Sequence, residues 1–222
     1  MEGRFPNAIL MALARPRYPD REDELNKWID GTHFPDLQST GLLTNATRFV
    51  NVDPQPDQPK YVNIYEIYVE DVEEARKSFA TLRASLVDAG RMGDLSITEW
   101  RIMPRIGSTS TAAAGKSVKG LLINSQNCKD PASEVEFSDW YSNVHIPDIF
   151  ESGFFHSAYR YENDNPGGFF GKYLNVYETD LDAVEASNGV RSQRTKWEEM
   201  GHTNDLGQVT LRLLVRPMHP KS

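Results

Sequence analysis

The chain has 222 residues, enough for one large domain or two small ones that each bury a core. Its 39% hydrophobic and 25% charged content is ordinary for a globular protein, and a formal net charge of −8 argues against a nucleic-acid or anionic-membrane partner. The single cysteine, Cys128, excludes an intrachain disulfide and reads as a half-buried, inert thiol in a reducing compartment.

The first residues, Met1-Glu2-Gly3-Arg4-Phe5-Pro6, lack the apolar core of a signal peptide, and no stretch approaches the roughly 20 apolar residues that span a bilayer. The expectation is a cytoplasmic protein. Asn7 to Ala14 is a short apolar run that suits a buried strand. Glu22 to Thr40 is polar with apolar residues at helical spacing, interrupted by Pro35. Asn45 to Val52 and Lys60 to Val69 read as strands, the second rich in Tyr, Val and Ile, with Pro54, Pro56 and Pro59 in the loop between them. Asp71 to Val87 has a helical pattern, and Leu95 to Met103 closes the first half as a strand. A small, uncharged run from Gly107 to Gly115 reads as a flexible linker.

The same order then returns. Val118 to Ser125 is a strand, and Glu134 to Ser152 a helical segment with a Ser133-x-x-Glu136 capping box. His156 to Asn163 and Lys172 to Thr179 are strands, Asp180 to Met200 is helical, and Gln208 to Val215 is the last strand. The element order is βαββαβ, twice.

The residues repeat as well. Trp28-x4-His33-x-Pro35-Asp36-x4-Gly41 recurs as Trp140-x4-His145-x-Pro147-Asp148-x4-Gly153, a constant offset of 145 − 33 = 112. The register runs on through Arg48/Arg160, Asn51/Asn163, Tyr61/Tyr173, Asn63/Asn175, Tyr65/Tyr177 and Glu66/Glu178. About a third of the positions from Glu24 to Glu66 are identical to their partners, so the chain is a duplication. The implied organisation is a first repeat over 1–105, a linker over 106–116 and a second repeat over 117–222.

The Trp-x4-His-x-Pro-Asp segment, the following Gly, the Arg-bearing strand and the Tyr-x3-Tyr-Glu strand resemble the dimeric α+β barrel superfamily, in particular its EthD-like members. The resemblance covers nearly the whole chain. It implies an α+β fold of two tandem ferredoxin-like repeats, packed sheet to sheet as a pseudo-dimeric barrel. It names no reaction, because members include decarboxylases, cyclases, isomerases, quinone-forming monooxygenases and haem enzymes. A histidine at this helix end is a frequent pocket-mouth residue in the EthD-like group.

Strand alternation divides the third strand of each repeat. Val62, Ile64, Leu174 and Val176 suit the helix-packed core, which would leave Tyr61, Asn63, Tyr65, Tyr173, Asn175 and Tyr177 on the other face. A register with Arg48 opposite Glu66, Phe49 opposite Tyr65 and Asn51 opposite Asn63 would repeat as Arg160–Glu178, Tyr161–Tyr177 and Asn163–Asn175. The arginines then read as cross-strand ion pairs or as anchors for a substrate carboxylate. His33 and His145 are the candidate general acid/base residues, with Asp36 and Asp148 within reach of their rings if the helix continues. A structural histidine bonding a loop carbonyl is the alternative.

Around them Trp28, Trp140, Tyr141 and His156 complete a candidate aromatic lining. The second repeat carries Tyr141, Phe150, Phe154, Phe155, His156 and Tyr159 where the first has Ile29, Gln38, Leu42, Leu43, Thr44 and Thr47, which favours the second half as the active one. Trp100, Trp197 and Met200 read as packing residues. Metal, dinucleotide, nucleoside-triphosphate and serine-hydrolase motifs are absent, so no metal and no cofactor is expected.

The expectation is a cofactor-independent lyase or isomerase acting on a small aromatic or polyketide-like substrate by decarboxylation, cyclisation or dehydration. His145 or His33 would move the proton, Tyr177 and Tyr65 would donate to an enolate, and Arg160 or Arg48 would hold a carboxylate. The alternatives are a cofactor-free quinone-forming monooxygenase and a non-catalytic binding or accessory protein. A homodimer through the barrel exterior is the remaining partner expectation.

Overall fold

Seven of the nine residues of the first strand, β1 (Ala8–Pro16), are buried, as its unbroken apolar run requires. The computed structural model describes residues 1–55, 57–107 and 115–218. It has an α+β fold in which the chain divides into two units: Met1, Phe5–Val50 and Pro54–Pro104 form one, and Glu2–Arg4, Asn51–Asp53 and Arg105–Ser222 the other. Most of the linker expected between Gly107 and Gly115 lies outside the described residues. No helix among the described residues is long and apolar enough to cross a membrane.

In the first unit β1 is followed by α1 (Glu22–Trp28), α2 (Phe34–Gln38), β2 (Thr44–Asn51), β3 (Tyr61–Ile67), α3 (Val72–Asp88) and β4 (Ser96–Ile106). The strands are antiparallel in the order β4-β1-β3-β2. The second unit holds β5 (Gly120–Cys128), α4 (Glu134–Trp140), α5 (Ile146–Glu151), β6 (Ser157–Glu162), β7 (Tyr173–Thr179), α6 (Ala183–Ser192), α7 (Arg194–Glu199) and β8 (Gly207–Pro217). Its order is β8-β5-β7-β6, and Arg105 and Ile106 extend it by pairing with Tyr161 and Arg160.

Local chemistry repeats between the units. Asp71 caps α3 by accepting from the N–H groups of Glu73 and Glu74, and Asp182 caps α6 through Val184 and Glu185. Gly41 and Gly153 take positive φ where the second helix of each unit has ended, a conformation that glycine adopts without Cβ strain. The capping box expected at Ser133 does not form. Asp130 instead accepts from Ala132 N–H ahead of a short 3₁₀ turn.

Pro35 and Pro147 do not break their helices, as the sequence suggested they would. A proline cannot make the i→i−4 bond, and its ring crowds the carbonyl four residues back. Each unit absorbs this with one π turn, Ile29–His33 and Tyr141–His145, closed by Phe34 N–H to Ile29 O and by Ile146 N–H to Tyr141 O. The extra residue per turn brings positions five apart onto one side. The His33 ring therefore stacks on Trp28 at 4.8 Å between centroids, and His145 on Trp140 at 4.9 Å.

Two expectations about the sheets are corrected. Tyr65, Ile67, Leu10 and Ala12 pack with Leu37, Ala75 and Phe79 of the helices, so the Tyr-Asn-Tyr face of β3 looks towards the helices. Tyr173 and Tyr177 do the same against Phe137, Ile149 and Ala186. Val62 and Ile64, also buried, fall by alternation on the opposite face. Glycine-poor β3 is apolar on one face and aromatic on the other, and helix packing accepts large aromatic rings as readily as aliphatic ones.

The register also differs by three residues in both units. Arg48 opposes Asn63 and Phe49 opposes Val62, while Arg160 opposes Asn175 and Tyr161 opposes Leu174. The expected Arg48–Glu66 and Arg160–Glu178 pairs, and the Tyr161–Tyr177 and Asn–Asn pairings, are therefore not made. Glu66 receives Asn45 and Tyr68, and Glu178 receives the Glu2 N–H and the Tyr159 phenol.

Candidate active site

Small residues on β1 open a space beneath the helices of the first unit. Ala12 and Ala14 stand where their partners 112 residues on are Asn124 and Gln126, and Ile29 stands where Tyr141 does. The result is a cavity of about 340 Å³ with Leu10, Ile29, Leu37 and Phe79 among its apolar walls and Trp100 and Met92 beside them. Trp28, His33, Asn63 and Tyr65, four of the residues singled out in the sequence, line it. Phe34 meets the Tyr65 ring edge-on at 5.3 Å, and Trp100 meets Phe79 at 5.0 Å.

Three buried polar atoms in this lining have no hydrogen-bond partner among the described residues: His33 Nδ1, Asn63 Oδ1 and the Tyr65 phenol. Each such group costs about 1–3 kcal/mol when unsatisfied. Three together weigh on the order of 3–9 kcal/mol, comparable with the 5–15 kcal/mol net stability of a typical domain. Unlike Asn124 Oδ1 and Asn175 Oδ1, which are equally unpartnered in the filled second unit, these three atoms adjoin a cavity in which a polar occupant could answer them. Burial pushes the His33 imidazole down to about 4, with Asp36 opposing and Arg48 reinforcing the shift. Burial also raises the Tyr65 phenol far above its ordinary range, so it stays protonated. At neutral pH the cavity thus offers a neutral imidazole, a phenol donor and an amide acceptor.

The other first-unit candidates sit beside the cavity and do not line it. Arg48 is buried, lies over the Tyr61 ring at 4.3 Å, donates to Asn26 Oδ1 at 2.8 Å and has Asp30 at 3.9 Å. Tyr61 donates to Glu22, which also holds Lys60. Asp36 does not orient His33 through a bond; both its oxygens accept from Arg91 at 2.7 Å.

In the second unit the corresponding space is closed. Tyr177 donates to Tyr141 Oη at 2.9 Å, and both phenols are buried. Arg160 lies over the rings of Tyr141 and Tyr173 at 5.0 and 5.4 Å and donates to Ser138 O at 3.1 Å and to Ser142 Oγ. Asn175 donates to Asn124 O at 3.4 Å. Tyr161 is buried on the face away from these helices. His156 Nδ1 bonds Ser157 Oγ at 3.0 Å.

His145, pushed down to about 4 by burial and then by Arg160, lines a separate cleft with Trp140 and Trp197. Asp148 does not reach His145; its carboxylate meets His202 Nδ1 at 3.0 Å. His202, Ala12, Ala14, Phe79 and Arg212 were not singled out in the sequence. The pairs Ala12/Asn124 and Trp100/Arg212 would have shown that the two interiors differ. Met200 is exposed at 45%, so it is no packing residue, whereas Trp197 is buried. Among the described residues no three His, Cys, Asp or Glu side chains gather as metal ligands.

No family model matches the chain. Over 62 residues it is 41% identical to core atranone cluster (CAC) protein 1 of Stachybotrys chlorohalonatus (strain IBT 40285), a match that spans 28% of this chain and about a quarter (26%) of that protein. Its structure is similar to that of an anthrone oxidase-like protein, with a TM-score of 0.63 at 13% identity over 98% of this chain and 94% of the other. A mutant chlorite dismutase from Candidatus Nitrospira defluvii matches at 0.62 and 11% identity, over 97% and 93%. A dye-decolorizing peroxidase from Bacteroides thetaiotaomicron VPI-5482 matches at 0.60 and 9%, over 97% and 94%. At such identities these likenesses speak to the α+β barrel fold alone, and the site must be argued from its own residues.

Proposed function

We propose that this chain is a tandem, EthD-like duplication of a ferredoxin-like unit whose first repeat is the working one. It is a small-molecule enzyme that moves a proton on a planar aromatic or polyketide-like substrate without a cofactor. The observation that carries this reading is the set of three unpartnered polar atoms, His33 Nδ1, Asn63 Oδ1 and Tyr65 Oη, in a cavity walled by aromatic and aliphatic side chains with Arg17, Arg83, Ser96 and Thr98 among them. The flat walls suit an aromatic ring. His33 Nδ1 takes a proton from a carbon beside a carbonyl, and the Tyr65 phenol donates to the oxygen on which charge develops. Asn63 accepts from a substrate hydroxyl. An imidazole held near 4 releases its proton readily, which favours return of that proton to a second carbon and hence isomerisation, dehydration or cyclisation.

This reading moves the catalytic role from His145, favoured by the aromatic-rich sequence of the second repeat, to His33. Arg48 and Arg160, each buried among its own partners, become supports of the site walls in place of carboxylate anchors.

Anthrone is a suitable probe, because its methylene carbon exchanges protons through an enol. Anaerobic incubation in D₂O should show wild-type protein speeding deuterium uptake at that carbon, with the gain lost in His33→Ala. No acceleration and no saturable binding of anthrone or related phenolic ketones would remove the reading.

A second reading, a quinone-forming monooxygenase, is favoured by the likeness to an anthrone oxidase-like protein. There the same proton removal precedes electron transfer to O₂, with one oxygen atom retained in the quinone and the other released as water. Oxygen uptake that is stoichiometric with quinone formation separates the two.

A further inference from the structure

The cleft of the second unit, like the first-unit cavity with its Arg17 and Arg83, is lined by arginines and by no acid. It measures about 340 Å³, and Arg191, Arg194 and Arg212 all line it, while no aspartate or glutamate does. In a chain of net charge −8 three arginines around one cleft are a local concentration of positive charge. The three guanidinium groups are held differently. Arg194 Nε donates to Glu198 Oε1 at 2.7 Å, one helical turn away. Arg212 Nη2 donates to the neutral Ser187 Oγ at 2.8 Å. The Arg191 guanidinium has no bond or ion pair among the described residues.

Arg212 stands on β8 opposite Asn124, the position at which the first unit has Trp100 opposite Ala12. A cation thus replaces an indole beneath α6. Burial lowers the proton affinity of Arg212, and the neighbouring Arg191 lowers it further. Two like charges that face one cleft repel unless an anion lies between them. A position near the C-terminus of α6 gives Arg191 a favourable interaction with the helix dipole, which accounts for one arginine there but not for Arg212 on the sheet. Trp140 and Trp197 supply flat apolar walls to the same cleft.

We infer that this second-unit cleft is a binding site for a small planar anion, an aryl carboxylate or aryl phosphate whose acidic group sits between Arg191 and Arg212 and whose ring lies against Trp140 and Trp197. The site is separate from the first-unit cavity and does not depend on the reaction assigned to it. A fork of two arginines matches the paired oxygens of either acid, and the flat body accounts for the indoles.

Titration of the full chain with phenyl phosphate, benzoate and sodium chloride, at matched ionic strength, tests this by calorimetry and by thermal melting. Saturable binding of either aryl anion is expected, with no such response to chloride, and the stronger of the two identifies the acid. Arg191→Gln and Arg212→Gln should each weaken binding on the order of ten- to a hundredfold, the loss of one charged hydrogen bond. Filling the first-unit cavity by Ile29→Tyr should leave it unchanged. If Arg212→Gln fails to fold, Arg191→Gln, on an exposed helix position, gives the same answer. No saturable binding in wild type, an equal response to chloride, or retained affinity in Arg191→Gln would each overturn the inference.

Discussion

The two units share their helix caps, their π turns and their Trp–His stacks, yet one is hollow where the other is filled. In the first unit Tyr65 reaches into a cavity beneath Ala12 and Ile29; in the second its counterpart Tyr177 bonds Tyr141 beside Asn124. The same phenol is an unpartnered donor in one and a satisfied core group in the other. More aromatic residues did not make a better site. They filled the space: Tyr141 and Tyr177 answer each other's hydroxyls, although Asn124 Oδ1 and Asn175 Oδ1 beside them are left without a partner among the described residues.

The most severe way to break this contrast is to build the second interior into the first. Ile29→Tyr together with Ala12→Asn should lower turnover, or binding of the anthrone probe, by at least about a hundredfold, because the introduced side chains take the substrate's place. Stability should hold or rise, since Tyr65 gains a partner. A doubly substituted protein that still turns over would show that the cavity is not the site.

The histidines come next. His33→Ala should lower turnover by roughly two to four orders of magnitude, as loss of a general base does, while His145→Ala lowers it only as far as folding suffers. Melting temperature and turnover on the same preparations separate these outcomes, and equal losses at both would point to two working sites.

The phenols sharpen the comparison in stability. Tyr65→Phe removes an unsatisfied hydroxyl and should stabilise by about 1 kcal/mol while slowing turnover. Tyr177→Phe strands the Tyr141 hydroxyl and should destabilise by about 1–3 kcal/mol. Urea denaturation reads both, and the same sign in the two variants would contradict the contrast.

Acid should act on both units alike. Each imidazole is held near 4 in the fold and near 6.5 when unfolded, so between these values the unfolded chain binds more protons. Stability is complete above about pH 6.5 and falls as pH drops towards 4, by on the order of 2–3 kcal/mol per histidine. Denaturant titrations at a series of pH values should flatten in His33→Phe. The acid limb of kcat/KM should lie near 4, not near 6.5. The smallest effect is expected between Arg160 and Glu178. With the register shifted by three residues, a double-mutant cycle should give a coupling below about 0.5 kcal/mol.

Much of the architecture was legible in the residues. The offset of 112 aligned the two helix-end motifs, apolar runs located the strands, and the helical pattern from Asp71 found α3. Trp28, His33, Asn63 and Tyr65 are legible as site candidates in the sequence, because imidazole, amide and phenol groups in an aromatic setting stand out. What these local signals could not supply was the partner of each group. Asp36 chose Arg91 over His33, and Asp148 chose His202 over His145, both through residues more than 50 positions away.

Sequence by itself determined what is set by short-range chemistry: strand and helix periodicity, and the repeated helix-end motif with its histidine. The tertiary structure alone decided which face of β3 meets the helices, the register of β2 on β3, and which repeat keeps a cavity. A strand with usable residues on both faces is compatible with either orientation, and a slip in register preserves its composition. Whether a buried tyrosine is a catalytic donor or a core residue depends on whether the neighbouring strand, distant in sequence, carries Ala12 or Asn124 beside it.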